Sequence, residues 1–326
     1  RIDYTGGGCP HILAEPESTN LNTNYNLLTA INAGAVSLNN SISPDGTQNA
    51  TKLTFGAGTN DGANISVGGS TCVASTLYTF SFYAKSVVGD GQFNLRLDTN
   101  SQSVLVNQGF TTTTDWVRYT HTFTSDAAAT SFGSNSRFRK VTASNEILFY
   151  GMQLEKLSYS TSIIPTSGST VTRNQDIFTR DGIGSLINST EGVLFVEMAA
   201  FASDSTDKRI SLGDGTSSNR IVIGYNAANE IQIFFAGTSG SFTPSYVIDI
   251  TQDAKVAVSW SSTKAKFYVN GSPILETLGD FSFAADTLTE LSFDNGIGTL
   301  TFFGKVKQLQ VYDTSLSDTQ LAALTS

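Results

Sequence analysis

The side chains best suited to chemistry in this sequence are hydrogen-bonding groups set near aromatic rings, rather than paired acids or metal ligands. Tyr83, Arg118 and Gln153 each fall on the outward parity of a strand-like run. A ring can cover the C–H face of a sugar while guanidinium and amide groups take its hydroxyls, so this trio is the candidate ligand face. The competing reading is that such residues pack beneath loops or stand solvated on a sheet. Glycoside cleavage needs two carboxylates at a fixed separation, and the chain offers only Glu191 with Glu197. Glu191 stands beside Gly192 at an apparent strand start, which suits a turn residue.

Other catalytic constellations are missing. The two histidines, His11 and His121, form no His-x-x-x-His pair, and Cys9 and Cys72 form no Cys-x-x-Cys, which removes the usual zinc sites. There is no Gly-x-Ser-x-Gly elbow, Gly-x-Gly-x-x-Gly turn, Walker loop or EF-hand loop. His121 lies on the apolar parity of its run and reads as a core or semi-core residue. The two cysteines are either unrelated thiols or a single bridge, and cannot make a disulfide framework.

The elements that must position these groups are strands. A length of 326 residues suggests two domains at about 150 residues each. Charged residues are only 14% of the chain, which excludes a coiled coil. With 19 basic and 28 acidic residues the net charge is −9, and no Lys/Arg run is present, so nucleic acid is excluded as a partner. The apolar stretch from Gly192 to Ala202 is broken by Glu197 well short of the ~20 residues of a membrane span. The opening from Arg1 has no secretory core, and the chain reads as a segment of something longer.

Short runs rich in Val, Ile, Phe, Tyr and Thr alternate with Gly, Asn, Asp and Ser clusters, the pattern of antiparallel sandwiches. In Tyr78–Lys85, the residues Phe80, Phe82 and Ala84 face one way and Ser81, Tyr83 and Lys85 the other. In 116–123 the alternation puts Val117, Tyr119 and Phe123 inward, with Trp116 and Arg118 outward. In 147–155 it puts Leu148, Tyr150, Met152 and Leu154 inward, and Phe149, Gln153 and Glu155 outward. Further strands are expected over 255–261, 264–270 and 305–312. One helix is expected at the end, with Ser317 as N-cap, Gln320 as its capping-box partner, and Leu321 and Leu324 on the apolar side. The polar stretch 165–172 marks a boundary, giving domains at 1–173 and 174–326.

Several motifs occur in order in the first half: Glu15–Leu21, Ser43–Thr47 with Ala50–Leu53, Tyr78–Lys85, Trp116–Phe123, Tyr150-Gly-Met-Gln-Leu-Glu155 and Tyr159–Arg173. This half resembles the carbohydrate-binding-module-like jelly roll found in bacteriophage tail fibres and related virion proteins. Ser18 departs from that pattern, which often has arginine there. The second half, through Trp260, Lys266-Phe-Tyr-Val-Asn-Gly271 and Val311–Ser317 with the terminal helix, resembles a concanavalin A or laminin-G-like sandwich. Enzymes of that shape carry Glu-x-Asp-x-Glu or Gln-Ile-His strands; here the first is absent and Gln232-Ile233 is followed by Phe234.

The resemblance implies an all-β, two-domain, non-enzymatic segment of a phage tail fibre or related virion protein. It would be extracellular and homotrimeric with other virion proteins, and would bind bacterial surface glycan without inserting into a membrane. The rivals are a polysaccharide depolymerase or lyase on the second fold, and a structural decoration module with no ligand. Sandwiches of both kinds often hold a structural calcium, for which Asp214, Asn219, Asp294 and Asn295 supply loop oxygens. The same residue types also make ordinary turns.

Overall fold

The structure is a computed structural model that describes residues 2–3, 10–101, 103–141, 146–237 and 240–326. It forms two compact units, Glu17–Asn174 and Arg1–Pro16 with Gln175–Ser326. Both are antiparallel β-sandwiches, and the one α-helix among the described residues is Asp318–Leu324 at the C-terminal end. No helix among them is long and apolar enough to cross a membrane.

The Glu17–Asn174 unit has two five-stranded sheets. One runs in the order Val104–Thr112, Gly91–Asp98, Arg137–Lys140, Gly62–Asn64, Thr29–Ile31. The other runs Val117–Thr124, Leu77–Ser86, Glu146–Glu155, Gln48–Thr54, Ala35–Ile42. Alternation puts Phe80 and Phe82 of the second sheet against Phe93 and Phe138 of the first, all fully buried. Phe149 joins them, its ring stacked on Phe138 at 4.2 Å between centroids. Each such side chain is worth about 1.5–3 kcal/mol of burial, so this ring cluster outweighs exposed ion pairs at about 0–1 kcal/mol each. The sheet strands approach so closely at Gly62 that a Cβ there would lie 2.1 Å from the Phe138 carbonyl oxygen.

Phe149 was expected to face outward and is in the core, whereas Leu148 and Tyr150 are on the opposite face from it. The cause is a bulge between Tyr150 and Gln153, where Gly151 takes φ +65. One extra residue reverses the side-chain parity of everything beyond it. Ile147 and Phe149 therefore point inward before the bulge, Met152 and Leu154 after it.

The other unit has two seven-stranded sheets enclosing Leu194, Val196, Ile210, Ile223, Val258, Trp260 and Phe267 among others. The strands Ala254–Trp260, Lys264–Val269 and Gly304–Tyr312 lie where the alternation puts them. Ser317 caps the terminal helix with Gln320 in a reciprocal capping box. Leu321 then seals a second small core with Val193, Phe195, Ala257 and Tyr268.

The described residues up to Pro16, assigned to the first module by the 1–173 and 174–326 division, belong to this second unit. His11–Ala14 pairs with Gly304–Tyr312, and Ala14 is fully buried in its core. Edge pairing is a long-range choice that the polar stretch at 165–172 does not reveal. Cys72 is buried, while the proposed partner Cys9 lies outside the described residues.

Candidate functional site

Pairing brings the three predicted ligand residues onto one sheet face. Arg118 stands opposite Tyr83, Tyr83 opposite Tyr150, and Gln153 opposite Ser81. The face is covered, however, by the chain that follows Glu155. Gln153 is fully buried; its amide nitrogen donates to the Thr161 and Ser162 carbonyls, each at 3.3 Å, and its oxygen accepts from Ile164 N–H at 2.7 Å. Glu155, also fully buried, accepts from Ser18 Oγ at 2.7 Å and from Thr161 N–H at 3.0 Å. Thr79 donates to the Leu157 carbonyl and Arg118 to the Thr161 carbonyl, at 2.8 and 2.6 Å.

Arg118, Gln153 and Glu155 thus hold the protein's own backbone, and Gln153 is corrected from a ligand contact to an anchor. Tyr83 and Arg118 are half-buried, with the guanidinium 5.7 Å from the Tyr83 ring centroid. One face of that ring is already occupied. Trp116 is likewise engaged, its indole N–H donating to the Ile42 carbonyl and Lys85 lying 5.3 Å from its ring.

The outer face of the first sheet is different. Arg96, Arg137 and Asn64 are cross-strand neighbours in a row, and Asn107 stands opposite Arg96. Arg139, opposite Asn94, lies two residues along from Arg137, about 7 Å at strand rise. Asn107 is exposed, and Asn64, Asn94, Arg96, Arg137 and Arg139 are half-buried.

Some of these donors are committed. Arg96 makes a two-point contact with the buried Asp98, at 2.8 and 3.0 Å, and Arg139 donates to Asn107 Oδ1 at 2.7 Å. Arg137 Nε and Asn64 Oδ1 are both buried without a hydrogen-bond partner among the described residues. Burial first, then the Arg96 guanidinium, pulls the Arg137 pKa below its ordinary value. Sequence reasoning missed this surface, although Asn94-Leu-Arg96 and Arg137-Phe-Arg139 each alternate a core residue with polar ones.

Within the second unit, Glu191 accepts from Ser315 N–H and Oγ–H at 3.1 and 3.0 Å, while Glu197 lies 3.7 Å from Lys307 Nζ. Each carboxylate thus has its own structural partner. The expected calcium oxygens are used in turns. Asp214 accepts from Thr216 and Asn219, Asp294 from Ser292 and Gly296, and Asn295 Oδ1 from Ile297 and Thr299. Arg220 donates to the Asn295 carbonyl, placing a cation of the chain's own in that loop. No group of three or more acidic, histidine or cysteine side chains converges among the described residues. Nearby, Arg209 binds Asp207 and Gln232, and Arg220 lies 4.9 Å from the Phe234 ring, while Arg209 Nη1 and Arg220 Nε, like Arg137 Nε, are buried without a hydrogen-bond partner among the described residues.

Two families match the chain. Residues 25–138 match a carbohydrate binding domain, and residues 197–322 match the concanavalin A-like lectin/glucanases superfamily. Each sandwich carries one of the two matches. Among solved structures, the chain is similar to the Ruminococcus gnavus IT-sialidase CBM40 bound to alpha2,3 sialyllactose, at 18% identity over 46% of this chain and 98% of that one, with a TM-score of 0.38. It is also similar to domain 4 of AbnA, a GH43 extracellular arabinanase from Geobacillus stearothermophilus, in complex with arabinotriose. That similarity has 16% identity over 52% and 81% of the two chains, with a TM-score of 0.36. The CBM22-1 xylan-binding domain from Paenibacillus barcinonensis Xyn10C matches at 13% identity over 46% and 99%, with a TM-score of 0.35. No curated protein sequence matches the chain significantly.

Proposed function

We propose that the chain is a non-enzymatic glycan-binding segment whose working surface is the Asn94, Arg96, Asn107, Arg137 and Arg139 face. The observation that carries this is a half-open sheet face of hydrogen-bonding side chains on the unit that matches a carbohydrate binding domain. Amide and guanidinium groups at fixed strand spacing suit an array of hydroxyls. Each contact replaces one already made to water, so a single site should be weak, at about millimolar, or −4 kcal/mol.

The finer reading is attachment of a phage tail fibre or related virion protein to bacterial surface glycan, outside the cell. It rests on the motif series from Glu15 to Arg173. In that setting a homotrimer would multiply weak sites into useful avidity. The half-exposed Tyr83–Arg118 stack supports a secondary contact on the other sheet.

Titration of bacterial surface polysaccharide against the wild type, Asn107→Ala, Arg139→Ala and Tyr83→Ala tests both surfaces. Binding lost with Asn107→Ala and Arg139→Ala but kept with Tyr83→Ala is expected. Loss with Tyr83→Ala alone moves the site to the other sheet. Release of reducing ends or unsaturated products, abolished by Glu197→Gln, would establish the depolymerase reading instead.

A further inference from the structure

Three guanidinium groups converge on the face just described, against a single carboxylate. Arg96 and Arg137 are directly paired across strands, and Arg139 follows Arg137 on the same side of its strand. Asp98 is consumed by Arg96 through both carboxylate oxygens. Arg139 spends one N–H on a neutral amide, and the Arg137 Nε–H donates to no partner among the described residues. Locally the count is three positive groups to one negative, in a chain whose net charge is −9.

Such an arrangement costs free energy in the empty protein, because like charges on neighbouring strands repel. Solubility does not require it. It is relieved by an anion of the right shape, and a planar carboxylate accepts paired N–H bonds from a guanidinium fork in a way a hydroxyl cannot. The flanking amides of Asn64, Asn94 and Asn107 add neutral donors and acceptors on both sides of the row.

We propose that this face selects acidic saccharides, with Arg137 and Arg139 gripping the carboxylate of a uronic or sialic acid unit and the surrounding asparagines taking ring hydroxyls. The proposal rests on the glycan-binding reading and narrows its ligand class. A nucleic acid would offer anions too, and its binding in preference to the acidic sugars is an outcome of the test below.

The test uses the full chain and four acidic polymers: polygalacturonate, alginate, hyaluronate and colominic acid. Each is paired with its carboxyl-reduced form, which keeps the sugar skeleton without the charge, and a single-stranded oligonucleotide is the control. At least one acidic polymer should bind at low salt, lose tenfold or more on carboxyl reduction, and weaken steeply between 0.02 and about 0.5 M salt. Arg137→Gln and Arg139→Gln should each cost tenfold or more, Arg139→Lys should recover only part, and circular dichroism should be unchanged. Equal binding of the reduced polymers, or indifference to Arg137→Gln, would overturn the acidic selectivity while leaving glycan binding in place. Tighter binding of the oligonucleotide would overturn it in favour of a phosphate backbone. Failure of all eight polymers, with host polysaccharide also inert, would overturn both readings.

Discussion

Replacing Gln153 by alanine separates an anchoring role from a ligand role. The side chain accepts one good hydrogen bond, from Ile164 N–H at 2.7 Å, and donates two longer ones at 3.3 Å. Ile164 is 3% exposed, so its N–H would be left buried and unpaired, at about 1–3 kcal/mol. The carbonyl of Thr161 keeps Arg118 as a donor, so the longer bonds add only about 1 kcal/mol. The lost methylene adds about 0.8 kcal/mol. Together these come to about 3–5 kcal/mol.

The loss should appear in urea unfolding of the full chain, as an earlier transition of the Glu17–Asn174 unit. It should also appear as faster hydrogen exchange at Ile164, by about two to three and a half decades, since about 1.4 kcal/mol is tenfold. Saccharide affinity under folding conditions should stay within twofold. Unchanged exchange and unfolding, combined with lost polysaccharide binding, would refute the anchoring argument and return Gln153 to the ligand face.

Gly151→Ala should destabilise the same unit by about 1–2 kcal/mol, because φ +65 is costly for a residue with Cβ and the added carbon would lie 2.7 Å from Ile163 Cδ1; thermal unfolding measures it. His121 has its pKa lowered by burial, so the unfolded chain takes up a proton near pH 6.5 that the folded one resists. Stability should therefore be highest above pH 6.5 and fall as the pH drops through the folded value; His121→Gln should flatten urea midpoints between pH 7.5 and 5.5. A segment of residues 17–174 should fold alone by circular dichroism and near-ultraviolet signal. Residues 175–326 alone, lacking the His11–Ala14 strand, should be less stable and more prone to associate through the bared edge of Gly304–Tyr312, measured by light scattering.

What the sequence determined by itself was everything governed by period-two alternation and local turn chemistry. The all-β class, the strands around Phe80, Val258 and Val306, and the Ser317 capping box follow from residues a few positions apart. The same alternation put Tyr83, Arg118 and Gln153 on one face, since pairing register preserves parity across neighbouring strands. It failed at Phe149, because a bulge at a single glycine inverts parity without altering the hydrophobic pattern that would reveal it.

Tertiary structure alone decided what each face meets. Gln153 and Glu155 look like free hydrogen-bonding groups until Thr161 and Ile164 fold back onto them. Arg96 and Arg137 are 41 positions apart in the chain, and only antiparallel pairing places them side by side. Residues 11–14, with Ile2–Asp3 paired outside them, join a unit whose other strands lie beyond residue 174, because a sheet edge recruits whichever strand satisfies its backbone. Contacts between distant segments carry no local signature, so the alternation fixes which way a side chain points and the fold determines whether it finds solvent, a ligand or the chain itself.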